Sequence, residues 1–184
     1  MSATTTLSSL IPTGSYNVDP AHSNVSFEVK HMGIATVRGS FRKFAGTLDA
    51  TSESPVLDGT VEVTSIDTGD DQRDAHLTSP DFFDAERYPL ISFNSTASEQ
   101  TEDGTIKLNG EITIKGITKP IDLTGVVAEG GSDPWGNERV GFEVEGVIDR
   151  RDFDLKWNQT LPNGNILISN EVKLLVSVSA VKAA

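Results

Sequence analysis

Alternation of apolar and polar residues, with a period of two, runs through almost the whole chain. In residues 23–31, SNVSFEVKH, Val25, Phe27 and Val29 share one parity, and polar or charged residues take the other. Because successive side chains of a β-strand point to opposite faces, this pattern predicts strands with one apolar face. About eight such segments, joined mostly by short turns, predict an all-β chain of antiparallel strands. That number of strands suits either a sandwich or a closed up-and-down barrel.

Residues 66–93 are the one long segment that does not alternate. Thr68 followed by Asp71 is typical of a helix start, where a hydroxyl accepts hydrogen bonds from free backbone amides. Phe82 and Phe83 follow among acidic residues and need an apolar surface to pack against. We interpret the segment as a short helical flap over one end of the β-structure. A plain crossover loop is the alternative.

Charge and hydropathy argue against two classes of partner. The formal net charge is −12, whereas nucleic-acid binding depends on basic side chains that neutralise phosphates. The same charge opposes standing attachment to an anionic membrane, and no apolar run is long enough to span a bilayer. We therefore expect no nucleic-acid partner and no stable membrane insertion.

The length predicts one domain with a substantial core. Residues 1–13 are rich in Ser and Thr and carry no pattern, which predicts a flexible tail ahead of a single domain at 14–184. The N-terminus lacks the basic and apolar segments of a secretory signal, which favours a cytoplasmic protein.

Motifs for catalysis or metal binding are missing from the sequence. There is no cysteine, and His22 and His31 lie nine residues apart, so that a continuous strand would point them to opposite faces. We therefore predict no catalytic residue, no metal and no cofactor. His31 has the inward parity, and it is either a buried, hydrogen-bonded side chain or a contact for the polar end of a ligand. His76 is interpreted as a solvated or capping residue, and Arg73 as an ion-pair partner of the acids around it.

Three glycines interrupt the inward parity of the later strands, namely Gly110, Gly125 and Gly146. An inner face without side chains leaves space inside a barrel. The alternative is that these glycines allow strong bending of the strands.

The order and spacing of several motifs together resemble the YceI-like family. The motifs are Tyr16–Ser23 (YNVDPAHS), Phe27, His31, Gly39, Phe41, Thr68-Gly69, Arg73-Asp74, Leu77, Asp81–Asp84, Tyr88-Pro89, Ile91, Phe93, Gly110, Thr113–Pro120 (TIKGITKP), Gly141-Phe142 and Arg151–Phe153. The resemblance covers about residues 14–182. The chain departs from it at Asp154, where many relatives have glycine.

The resemblance implies an extended lipocalin-like fold, which is an eight-stranded antiparallel up-and-down barrel with a short helical flap. It implies a long apolar cavity that binds a polyisoprenoid, such as an isoprenoid quinone or a polyprenyl chain, for storage or transport. It implies no catalytic residues, and it implies a homodimer. We expect the flap, residues 70–84, to be the gate of the cavity, because a gate needs a locally unstable element.

Parity and the flap together predict which side chains contact the lipid. The predicted ligand-binding residues are Phe27, Val29, His31, Phe82, Phe83, Ile91, Phe93, Leu108, Ile112, Phe142 and Val144. The rival hypothesis is an isomerase or cyclase that acts on an apolar substrate in the same cavity, with His31 as its acid or base.

Overall fold

The computed structural model describes residues 11–100 and 105–184. Its strands are β1 (Ser15–Val18), β2 (Asn24–His31), β3 (Ala35–Phe41), β4 (Phe44–Asp49), β5 (Val56–Glu62), β6 (Ile66–Asp67), β7 (Leu90–Gln100), β8 (Ile106–Ile114), β9 (Ile117–Ser132), β10 (Glu138–Asp149) and β11 (Ile168–Lys182). The described α-helix is α1 (Asp71–Thr78), and short 3₁₀ turns occur at Pro20–His22, Val63–Ser65 and Arg150–Phe153.

The strands form a closed antiparallel barrel. β1 closes it, because Asn17 pairs with Val181 of β11 on one side and with Thr47 of β4 on the other. β1 and β2 both pair with β11 and together form one long interrupted strand. β3 pairs with β2, β4 pairs with β1, and together they form a second interrupted strand. Counted in this way, and with the two-residue β6 set aside, eight strands surround the barrel. The predicted eight-stranded up-and-down barrel with a short helix is therefore confirmed.

The two ends of the barrel are filled differently. At the end where β1 and the β9–β10 hairpin lie, large apolar side chains pack with almost no exposed surface. They are Ile11, Tyr16, Leu48, Ile106, Leu108, Val140, Phe142 and Ala180. At the other end, the inward residues of β2 and β11 keep part of their surface, because they face a cavity. We call these the packed end and the flap end.

The predicted flexible tail, residues 1–13, lies mostly outside the described residues. Of its last three residues, Ile11 is buried in the core, and the Pro12 carbonyl accepts a hydrogen bond of 2.8 Å from the Tyr16 hydroxyl. Ordered packing thus begins before residue 14. Residues 101–104, whose sequence TEDG predicts a hairpin turn, lie outside the described residues.

An ion-pair network ties two loops together at the packed end. The Arg139 guanidinium donates to the Asp19 carboxylate at 2.8 Å and to the Asp133 carboxylate at 2.9 Å. Hydrogen bonds from Arg139 and then from His22 lower the pKa of Asp19 from 3.8 to about 2. Since its pKa is lower in the folded than in the unfolded state, Asp19 stabilises the fold above pH 3.8, and this contribution is lost as the pH falls toward 2.

Arg139→Met is therefore expected to reduce the thermal stability near neutral pH and to have progressively less effect between about pH 4 and pH 2. The measurement is the unfolding temperature of both proteins across this pH range. Arg38→Met is the control, because Arg38 is an exposed partner of Glu28 and such pairs contribute little. A stability difference for Arg139→Met that stays constant down to pH 2 would contradict the assignment.

Candidate functional site

An apolar cavity of about 820 Å³ occupies the flap half of the barrel. Its wall is built mainly from aliphatic and aromatic side chains on the inner face of the strands. The walls also include side chains from α1, from residues 79–89 and from the segment between β10 and β11. The volume lies in the range typical of sites for small organic ligands.

Nine of the eleven predicted ligand-binding residues line this cavity. They are Phe27, Val29, His31, Phe82, Phe83, Ile91, Phe93, Ile112 and Val144. Leu108 and Phe142 do not line it, and with exposed fractions of 4% and 5% they belong to the packed core. Parity identified their inward direction correctly, but it does not tell at which height along a strand the barrel is filled.

The glycines that make room differ from those expected. A Cβ on Gly110 would lie 2.5 Å from the Phe93 ring, and one on Gly146 would lie 2.7 Å from Leu123. A Cβ on Gly125 would overlap the Glu143 carbonyl of the neighbouring strand. These three glycines thus serve close packing, and they do not enlarge the cavity.

Space in the cavity comes instead from Gly59, whereas a Cβ on its pairing partner Gly46 would lie 2.9 Å from both the Asp58 carbonyl and Val18. The two residues pair across β4 and β5, and both lie along the cavity wall. Gly59 shares its face with Leu57 and Val61, whose buried side chains point inward. A Cβ on Gly59 would meet only the Ala45 carbonyl at 3.5 Å, an ordinary contact. A side chain at this position would therefore extend into the cavity.

The flap covers the cavity through two aromatic contacts. Phe83 packs edge-on against Phe41 at 6.3 Å between ring centres, and Phe41 in turn lies 5.9 Å from Phe27. Phe82 is buried and lies 5.4 Å from Trp157, which the segment after β10 supplies. The cavity is thus closed by the flap and by a second segment, residues 150–167.

His76 differs from its predicted solvated or capping role. Its Nε2 lies 2.9 Å from the Asp81 carboxylate, and its ring packs edge-on against Phe82 and Trp157 at 5.0 and 4.8 Å. His76 also lines the cavity. It therefore joins the helix of the flap to the segment that follows β10.

The start of α1 also differs from expectation. Asp70, and not Thr68, is the N-cap residue, since its carboxylate accepts the Arg73 amide at 2.9 Å. Arg73 donates to the hydroxyl and the carbonyl of Thr68, each at 2.7 Å, instead of forming the expected ion pairs with acids. The Asp74 carboxylate accepts from the Thr68 amide and hydroxyl. These bonds fix the beginning of the flap.

Arg150 is a lining residue that the sequence did not reveal. In the sequence, Arg150 stands beside Arg151 and Asp152, a group that predicts structural ion pairs, but its side chain is buried and donates to four backbone carbonyls. These are Leu155 at 2.6 Å, Trp157 at 2.9 Å, Ser169 at 2.9 Å and Ile168 at 3.4 Å. Burial lowers the pKa of Arg150 from its ordinary value. Arg150 therefore anchors residues 155–157 to the start of β11.

A period-two signal in this segment could have revealed the second cover. Phe153, Leu155 and Trp157 alternate with polar residues, and Leu155 and Trp157 line the cavity. No named strand lies between the end of β10 at Asp149 and the start of β11 at Ile168, so that the alternation here marks a covering segment and not a barrel strand.

The cavity reaches solvent where the β2–β3 hairpin faces α1. The exposed lining residues on this side are Lys30, Ala35, Asp70, Gln72 and Arg73, and a second exposed group lies on β4 and β5, namely Ala45, Asp58 and Thr60. His31 also lines the cavity there and is half-buried. Many of the polar lining residues thus lie at this mouth, others lie on β4 and β5 and at Arg150, and the rest of the wall is mainly apolar.

Within the described part of the chain, no group of three or more His, Asp or Glu side chains is placed to hold a metal ion. Among the same residues, no helix is both long and apolar enough to cross a bilayer.

Known proteins resemble this chain over almost its whole length. The YceI-like domain model matches residues 16–180. Protein YceI of Escherichia coli O6:H1 is 36% identical over 172 residues, which cover 91% of this chain and 86% of that protein. Protein YceI of Salmonella arizonae is 36% identical over 188 residues, which cover 96% and 95% of the two chains.

Solved structures agree with the fold. Burkholderia cenocepacia BcnA superposes with a TM-score of 0.76 at 25% identity, covering 88% of this chain and 98% of that one. A polyisoprenoid binding domain from Saccharophagus degradans has a TM-score of 0.73 at 14% identity, covering 91% and 98%. The matched residues span nearly the whole barrel, and the chain therefore belongs to the YceI-like domain family.

Proposed function

We propose that the protein binds a linear isoprenoid lipid in the barrel cavity and stores or transports it. The observation that carries this proposal is the apolar cavity of about 820 Å³, lined mainly by aliphatic and aromatic side chains and covered by a helical flap. The same arrangement suits an isoprenoid quinone or a polyprenyl chain, whose tail is apolar and whose single polar group lies at one end.

Cavity size suggests the length of the bound tail. At roughly 30 Å³ for a group the size of water or methylene, the cavity holds about 27 such groups. This corresponds to about five isoprene units. A longer chain would extend through the mouth.

Burial of such a tail is favourable enough to need no charged anchor. At about 0.8 kcal/mol for each buried methylene-sized group, the gross gain is ~20 kcal/mol. Association costs on the order of 4–15 kcal/mol in lost freedom of motion. The net gain is therefore sufficient for stable binding.

Related structures support the proposal in part. The Saccharophagus degradans neighbour is described as a polyisoprenoid binding domain. At 14% identity this neighbour shows only a shared fold, and the apolar cavity of this chain supports the choice of ligand.

Native mass spectrometry tests the proposal directly. After incubation with isoprenoid quinones of differing tail length, we expect a one-to-one complex with tightest binding near about five isoprene units. Recovery of lipid-free protein alone, for every tail length, would refute it. Chromatography of the recovered lipid also tests the isomerase or cyclase alternative, which predicts an altered product that disappears in His31→Ala.

The flap is proposed as the gate of the cavity. We expect amides of residues 70–84 to exchange at least about tenfold faster in the lipid-free protein than those of β11, and to slow when quinone binds. Hydrogen exchange with and without an isoprenoid quinone measures both rates. If the quinone protected residues 133–137 instead, the entrance would lie at the packed end.

A further inference from the structure

The tip of the β2–β3 hairpin carries exposed apolar side chains. Ile34 is 81% exposed and Met32 is 42% exposed. Ile166, at 41%, belongs to the same surface, because the Met32 amide donates to the carbonyl of its neighbour Leu167 at 2.8 Å. We call these three residues the apolar tip.

The backbone of the tip makes its composition unusual. Met32 and Gly33 have φ values of 56° and 69°, and the Ile34 amide donates to the His31 carbonyl at 3.0 Å. Two-residue hairpin turns of this kind favour Asn-Gly, since both central residues need positive φ. A methionine at the first position is strained relative to asparagine. Neither backbone conformation nor solubility accounts for an apolar residue here, so its side chain needs another explanation.

The apolar tip lies directly beside the mouth of the cavity. Lys30, His31 and Ala35, which flank the turn in sequence, line the cavity. Leu167, which follows Ile166, lines it as well. A surface that covered the apolar tip would therefore also cover the mouth.

We propose that the apolar tip docks onto the surface of a neutral lipid bilayer, so that the lipid passes between membrane and cavity without crossing water. This inference rests on the proposed function. A long isoprenoid chain resides in bilayers because water excludes it. Three side chains contribute a small apolar area, so that contact with the membrane is weak and reversible.

Charge favours a neutral bilayer over an anionic one. The chain carries a formal net charge of −12, and Asp70 and Asp71 are exposed on the flap beside the mouth. Lys30 is the exposed cation closest in sequence to the tip, and its ammonium donates to the Thr36 hydroxyl at 2.6 Å. Its position lets it reach toward lipid phosphates while the tip inserts.

The experiment compares two sources of the same lipid. Transfer of an isoprenoid quinone to the protein is measured from phosphatidylcholine vesicles and from detergent micelles. Flotation with the same vesicles, without quinone, measures docking independently. The variant is Met32→Asn with Ile34→Ser, because asparagine tolerates the positive φ of residue 32. Trp135→Ser is the matched control, since Trp135 is 82% exposed on the β9–β10 hairpin at the opposite end.

We expect the double variant to float less and to take up quinone roughly tenfold more slowly from vesicles, with unchanged uptake from micelles. The control should behave as wild type, and anionic phosphatidylglycerol should weaken docking of wild type. Wild-type flotation or vesicle transfer by the double variant would overturn the proposal. The proposal would also be overturned if the wild type sedimented as a dimer and the double variant as a monomer, because the apolar tip would then be a contact between two copies of the chain. If flotation depends on the tip but no protein binds quinone from either source, docking stands and the proposed lipid-carrying function fails.

Discussion

Gly59→Phe is expected to weaken isoprenoid binding by more than about a thousandfold. The ring would extend into the cavity, because Gly59 shares the inward face of Leu57 and Val61 and meets no side chain there. It would displace about six carbons of ligand at ~0.8 kcal/mol each, or roughly 5 kcal/mol. Each 1.4 kcal/mol corresponds to about a factor of ten in Kd. Titration with a fluorescent isoprenoid probe measures the loss.

Thr47→Phe is the matched control for this substitution. Thr47 lies on the adjacent strand β4, and its side chain is exposed on the outer face of the barrel. The added ring there should leave binding unchanged. Gly59→Phe should also unfold at the same or a higher temperature than wild type, because it fills apolar space without a backbone clash. Full binding by a folded Gly59→Phe protein would show that the lipid binds elsewhere.

Arg150→Met is expected to destabilise the fold by ~3 kcal/mol or more. Methionine preserves much of the apolar stem, but it leaves the carbonyls of residues 155, 157 and 169 without this donor in a buried or partly buried place. The Ile168 carbonyl keeps the Asn158 side-chain amide at 2.8 Å. Each buried carbonyl that loses its partner costs about 1–3 kcal/mol, which the loss of a desolvated charge offsets in part. Urea unfolding followed by circular dichroism measures the change in free energy.

The neighbouring arginine provides the control for this prediction. Arg151 is exposed and pairs with the Asp149 carboxylate, so Arg151→Met should cost no more than about 1 kcal/mol. Arg150→Lys should fall between the two, since lysine cannot reproduce the fork of donors. Equal stabilities for the Arg150 and Arg151 variants would mean that the carbonyl contacts do not stabilise the fold.

Much of the barrel could be predicted because alternation and strand pairing depend on the same period. Phe27 and Val29 point inward in the sequence pattern, and both line the cavity. The non-alternating segment likewise corresponds to the observed helix and its following turns. Local periodicity predicts the face of a strand, because side-chain direction is a local property of the backbone.

The remaining features depend on contacts between distant segments. A side chain at Gly59 would have space in the cavity, because its pairing partner Gly46 has no side chain. A side chain at Gly110 would have none, because the Phe93 ring covers that position. The buried role of Arg150 depends on carbonyls up to 19 residues away. No period in a single segment encodes such pairings, since they arise only when the strands are in register.

The difference between the packed end and the flap end has a consequence for evolution. Side chains such as Tyr16 and Leu48 hold the barrel closed without contacting the cavity. Substitutions at the flap end can change the length or shape of the bound molecule while this closure stays intact. At 36% identity, this chain and Protein YceI of Escherichia coli O6:H1 can thus share one architecture while the residues that line the cavity differ. A separation of this kind gives a small barrel room to acquire new cargo by single substitutions, without an intermediate that fails to fold.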